Sequence, residues 1–204
     1  MKTRTLFVVL NAAGLFWVLS GRELGAGDKK DGDKKPSFEE IMVKLGTPGP
    51  NHKLLEPLIG TWNCKVKMYM EPGKPPSESE GTIKRQWILD GRYIHENYAG
   101  SFGGKPFKGL GLVGYDNFKK KYTVVWVDSM STGIMLTTGT YDGKSKTFTY
   151  LSSEESDPYF GGKKTKGRDV LRILDADNHV LEMYKQIEGA PEFKMMEISC
   201  TRKK

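Results

Sequence analysis

The sequence predicts an all-β protein: about ten antiparallel strands in up-and-down order, closed into a barrel and preceded by a short helical segment. Three observations carry that expectation. From Thr61 onward, apolar residues recur at every second position, the period of a half-buried strand. The runs are short and broken by Gly, Asp, Asn and Pro, which leaves no room for the crossover helices that parallel strands need. A sheet with that many strands rarely stays open and flat, and closure removes both edges.

The first residues differ in kind. Lys2 and Arg4 lead into Leu6–Leu19, an apolar run of 14 residues interrupted only by Asn11, and Ser20 to Gly27 is polar with small residues. That is the basic start, apolar middle and small-residue exit of a secretory signal, and the run is short of the ~20 residues that span a bilayer. Residues 1–27 are therefore read as a signal peptide cut after Ala26 or Gly27, and the protein as periplasmic or secreted, with no stable membrane insertion after cleavage. Cleavage takes the net charge from +7 to +5, removing Lys2, Arg4, Arg22 and Glu23. Residues 28–36 interleave Lys29, Lys30, Lys34 and Lys35 with Asp28, Asp31 and Asp33, the pattern of a disordered, solvated linker. So mild a charge argues against nucleic acid as a partner.

Residues 37–59 read as a short helical lid or plug. Ser37 and Glu40 form a capping box, and Phe38, Ile41, Met42 and Leu45 fall at helical spacing before Gly46 and Pro48-Gly49-Pro50. A second helical turn carries Leu54 and Leu55, limited by Pro57. The apolar stripe of the first helix is expected to pack on the following domain.

The barrel is expected over 60–204. Trp62, Cys64, Val66, Met68 and Met70 alternate with mostly polar residues, then Glu71 to Pro76 turns the chain. Ile83, Arg85, Trp87 and Leu89 continue on a strand that stops at Asp90-Gly91, a strong hairpin signal. Further strands are expected at 92–100, 106–115, 121–129, 133–141, 146–152, 166–174, 179–187 and 192–202, with a longer loop from Ser153 to Lys164.

No catalytic signature emerges. Gly143-Lys144-Ser145 lacks the upstream glycine of a phosphate loop, since Thr138 stands there. Asp128 and Ser129 are adjacent on a strand and face opposite ways, so they cannot share a histidine. Asp175, Asp177 and Asn178 lack the glycine and glutamate of a calcium loop and read as a turn. With His52, His95, His179 and two cysteines, no metal site and no cofactor is expected. Haem on a single wall histidine stays a minor alternative.

What remains is a cavity, because ten strands leave room that eight would fill. Arg85 shares a face with Ile83, Trp87 and Leu89, and Asp128 shares one with Tyr122, Val124 and Trp126. On 166–174 and 179–187 both faces are similarly apolar, so Arg172 and Tyr184 are not assigned between inside and outside. Buried charges must pair, so an internal arginine–carboxylate network that only fills the barrel is one reading. In the other, Arg85 or Arg172, with Tyr184, holds an anionic head group while Met, Trp87 and Trp126 line the tail of the ligand.

Gly60-Thr61-Trp62 on the first strand, after a helical plug and with Arg202 on the last strand, resembles the lipocalin-like superfamily. The resemblance implies that Arg202 covers Trp62 at the closed end. More specifically, the chain resembles the bacterial DUF1579 family, through Thr47 to Lys53, Met70 to Pro76, Asp90 to Tyr93, Gly114 to Asn117, Trp126 to Met130 and Arg168-Asp169-Val170. It runs from about Ser37 to Lys204 and brings no catalytic residues with it. Antiparallel pairs keep the sum of their residue numbers constant, so Trp62 across from Arg202 places Cys64 across from Cys200. The resemblance thus implies a disulfide between the first and last strands, as export would favour. The function expected is non-catalytic binding of a small apolar or amphipathic molecule inside the barrel. The alternative is an enzyme or haem-binding protein on the same scaffold.

Overall fold

A computed structural model describes residues 35–71 and 73–204; the expected signal peptide and all of the charged linker before Lys35 lie outside the described residues. Eleven strands follow the helical segment: β1 (Gly60–Met68), β2 (Ser77–Ile88), β3 (Tyr93–Phe102), β4 (Lys105–Asp116), β5 (Lys121–Asp128), β6 (Met135–Asp142), β7 (Thr147–Ser152), β8 (Glu155–Asp157), β9 (Lys163–Ile173), β10 (Asn178–Ile187) and β11 (Phe193–Arg202). Each pairs antiparallel with its neighbour, β7 pairs with β9, and β11 returns to β1. Ten strands thereby close a barrel, with the three-residue β8 as an extra strand against the start of β9. Closure leaves the ten ring strands no free edge.

Register sorts the walls. Trp62, Cys64 and Val66 on β1 lie across from Arg202, Cys200 and Ile198, and the inward face of β9, with Leu171 and Ile173, meets Leu181 and His179 on β10. Turns close where positive φ is needed: the β2–β3 hairpin runs through Leu89, Asp90 and Gly91 at φ 48°, 56° and 79°.

One end is plugged. Helix α2 (Pro50–Lys53) and a 3₁₀ turn over Glu56–Leu58 bring Leu55 and Leu58 into a core with Ile94, Val113, Tyr122, Phe148, Leu171 and Ile173. Polar contacts dock the plug: Tyr122 donates to the Asn51 carbonyl (3.0 Å) and Trp62 Nε1 to the Leu58 carbonyl (2.9 Å). Helix α1 (Phe38–Gly46) has the expected capping box. It does not pack on the barrel as expected: no residue of it is buried, and Phe38 is 79% exposed. Among the described residues only its C-terminal end is tied, by Asn117 Nδ2 donating to the Leu45 and Thr47 carbonyls. The plug therefore comes from 50–59, because Pro48 and Pro50 turn the chain before the stripe of α1 reaches the wall.

Candidate functional site

The site is built on the inner wall, from the plug upward. At the closed end the Arg202 guanidinium covers the Trp62 ring at 4.1 Å, as the resemblance implies. It is fixed there by donating to the carbonyls of Ile59 (2.7 Å), Pro57 (3.1 Å) and Ala176 (2.9 Å). Cys64 and Cys200, directly opposite with Cα atoms 4.2 Å apart, form the disulfide that seals the seam.

Above Trp62 runs a buried polar chain. Arg85 points inward and pairs with Glu96 across the β2–β3 ladder. Its Nη1 lies 2.9 Å from His179 Nε2. A guanidinium only donates, so Nε2 accepts and the neutral imidazole carries its proton on Nδ1. That Nδ1–H is buried without a partner among the described residues. Burial, reinforced by Arg85 and Arg202, pushes the imidazole down to about 3, so His179 is neutral at any physiological pH.

The mouth half is lined by aromatic and sulfur side chains. Trp126 lies flat on β4, where its ring occupies the space that a Cβ on Gly109 would need and abuts Gly111. The Tyr98 ring lies the same way over Gly81 and Gly100 and meets Phe107 edge-on at 5.5 Å. Bare glycines let both rings lie against the wall. Met183, Met196 and Ile198 face in from β10 and β11, all part-exposed, whereas Leu55, Trp62 and Phe148 at the plug end are buried to 1% or less.

Other sequence candidates divide. Trp87 is inward but pinned to the plug, its Nε1 donating to Glu56 (2.7 Å). Asp128 accepts from Trp126 Nε1 (3.1 Å) and from the backbone of Met130 (2.9 Å) and Ser131 (3.3 Å), so it orients the indole and holds the turn. Arg172 and Tyr184 are corrections. Arg172 lies across from Val180, Tyr184 across from Arg168, and this is the outer face. There Arg172 and Lys194 flank Glu182, and the Arg168 guanidinium stacks on the Tyr184 ring at 4.2 Å while pairing with Glu192. Burial raises the Glu182 carboxyl, but hydrogen bonds from Lys194 and Arg172 outweigh it and hold it low. Long cationic stems cover this face, so its apolar residues look as buried in sequence as inward ones.

Asp169 is a residue that sequence reasoning missed. It is inward, across from Tyr150 on β7 and Met183 on β10. Burial raises its carboxyl to about 6, against the opposing pull of Lys185 and Arg168. Its signals were its alternation with Leu171 and Ile173 and its place in the Arg168-Asp169-Val170 segment of the family resemblance.

A closed ten-stranded up-and-down barrel with a helical plug and an arginine over the first-strand tryptophan defines a lipocalin-like barrel. The fold is shared with Rv2717c from M. tuberculosis (TM-score 0.53, 14% identity, 78% of this chain and 100% of that one). It is shared also with the S-type phycobiliprotein lyase CPES from Guillardia theta (TM-score 0.52, 11% identity, 83% of this chain and 99% of that one). Within that class the chain belongs to the DUF1579 family, described as a protein of unknown function, whose model matches residues 47–202. No curated protein matches the sequence.

Proposed function

We propose that the protein is an exported, non-catalytic binder of one small apolar or amphipathic molecule, held in the mouth half of the lumen. The gradient along the inner wall carries this reading. Side chains that face inward in a closed barrel meet solvent only through the lumen, and Trp126, Met183, Met196 and Ile198 do so near the mouth while the plug end is sealed. A largely apolar concavity with a few polar groups is the usual form of a small-molecule site. The Trp126 and Tyr98 rings support it, since both lie against wall glycines and share one apolar cluster with Met196 and Ile198, the kind of lining an apolar ligand needs. Export is supported by the basic, apolar and small-residue order of residues 1–27 and by the Cys64–Cys200 disulfide.

Native mass spectrometry and organic extraction of protein purified from its natural host test the reading. A co-purifying apolar or amphipathic molecule, displaced by heating with solvent, is the expected result. A Soret absorbance band on the purified protein would favour haem instead, and a ligand-free protein that binds no apolar fluorescent probe would overturn the reading. Intact-mass analysis of the same sample is expected to find the N-terminus removed between about residues 20 and 28. A cytosolic protein retaining Met1 would refute export.

A further inference from the structure

The charges of the inner wall cancel unevenly. Among the described residues, the inward charged side chains below the exposed rim are Arg85, Glu96, Asp128, Asp169 and Lys185, with His179 neutral. Arg85 is neutralised by Glu96, and Lys185 by Asp157 of β8 at 3.1 Å. Asp128 is satisfied by the Trp126 indole and two backbone N–H groups. Asp169 has no hydrogen-bond or ion-pair partner among the described residues, and its oxygens are not sealed from solvent. A protein of net positive charge, +7 before the expected cleavage and +5 after it, thus presents an unmatched carboxylate in its lumen, beside Tyr150 and Met183.

An unpaired carboxylate in a partly dry site disfavours any anion there and favours a cation that supplies the missing partner. An aromatic face adds to this, because the part-exposed Trp126 ring attracts organic cations as well as hydrocarbon. We infer that the lumen takes a cationic amphiphile, its ammonium group beside the Asp169 carboxylate and its apolar part against Trp126, Met183 and Met196. The inference rests on the proposed lumen site and names the ligand class. It reverses the anionic preference that the sequence suggested, because the Arg85 charge is already matched by Glu96.

Matched probes with one alkyl chain test it: decylammonium, decyltrimethylammonium, decanol and decanoate, titrated into the full-length mature protein at pH 8 below their aggregation concentrations, with tryptophan fluorescence as readout. Both cations are expected to bind tighter than decanol, and decanoate weakest. Asp169→Asn should weaken the cations by about tenfold or more and leave decanol unchanged. Glu192→Gln, an outward carboxylate, should alter none of the four. Equal binding of decylammonium and decyltrimethylammonium marks charge as the recognised feature; a preference for decylammonium marks a hydrogen bond to the carboxylate in addition. Decanol binding without a cation preference, or a preference untouched in both Asp169→Asn and Asp169→Leu, overturns the inference while leaving the lumen site standing. Failure of all four probes overturns both.

Discussion

Two inward ionisable residues act on stability in opposite directions, and the signs follow from their shifts. The Asp169 carboxyl is raised in the folded protein to about 6, first by burial, with Lys185 and Arg168 opposing. The groups around it are Tyr150 from β7, Lys185 from β10 and the outward Arg168 on its own strand. The folded state therefore holds that proton more tightly than the unfolded chain, and the ionised form weakens the fold above pH 6. Asp169→Asn is expected to raise stability at pH 7.5 by about 1–2 kcal/mol, with the gain shrinking as pH falls from 6 toward 4. Urea unfolding across that range reads it, and a destabilised Asp169→Asn at pH 7.5 would mean the carboxylate has a partner. A residue that costs stability is the kind retained for function. His179 runs the other way: its imidazole is lowered to about 3, chiefly by burial, so its contribution is complete above pH 6.5 and lost as acid protonates the unfolded chain. Neither residue stood out in the sequence, because strands 166–174 and 179–187 carry apolar residues on both faces and leave inside and outside unsettled.

At the scale of elements, most of the barrel was legible. Period-two alternation and turn residues placed ten strands within a few residues of those observed, and the Ser37–Glu40 box placed α1. β8 was not legible, since three residues between Ser153 and Lys164 carry no pattern and are held by pairing with Thr165, Lys164 and Lys163. Nor was the choice of plug, because an apolar stripe on α1 does not say whether the chain lets it reach the wall. Strand β4 holds a subtler message. Gly109 and Gly111 are spaced by two, so both missing side chains lie on the inner face, where Trp126 rests. A methyl at 109 overlaps the indole and must push it into the lumen. Gly109→Ala is expected to cost about 1–3 kcal/mol of stability and to weaken decanol binding in the same variant. Near-UV circular dichroism would register the displaced indole. An unchanged spectrum with unchanged binding would show that the ring has room to slide along the wall, and that the glycines do not keep the lumen open.

For the whole molecule, the decisive feature is the seam where the first and last strands meet. Seven residue pairs join β1 to β11, from Trp62–Arg202 to Met68–Met196, and the Cys64–Cys200 bond lies third from the closed end. This part of the fold followed from one register: once Arg202 covers Trp62, the cysteines can only face each other. The bond encloses a sequence separation of 136 residues, nearly the whole barrel, so it restricts the unfolded chain strongly while altering few native contacts. In the chain-entropy account such a loop is worth up to about 5 kcal/mol. The double variant Cys64→Ala/Cys200→Ala removes it without leaving a lone thiol, though it also trims two buried side chains. It is expected to lose about 3–5 kcal/mol and still fold, because the ladder and the Arg202 clasp remain. Adding reductant to the unmodified protein isolates the bond from the packing, and should lower the unfolding free energy by most of the same amount. Thiol titration of the unfolded, non-reduced protein comes first: no free thiol is expected, and two would refute the bond together with the register that predicts it.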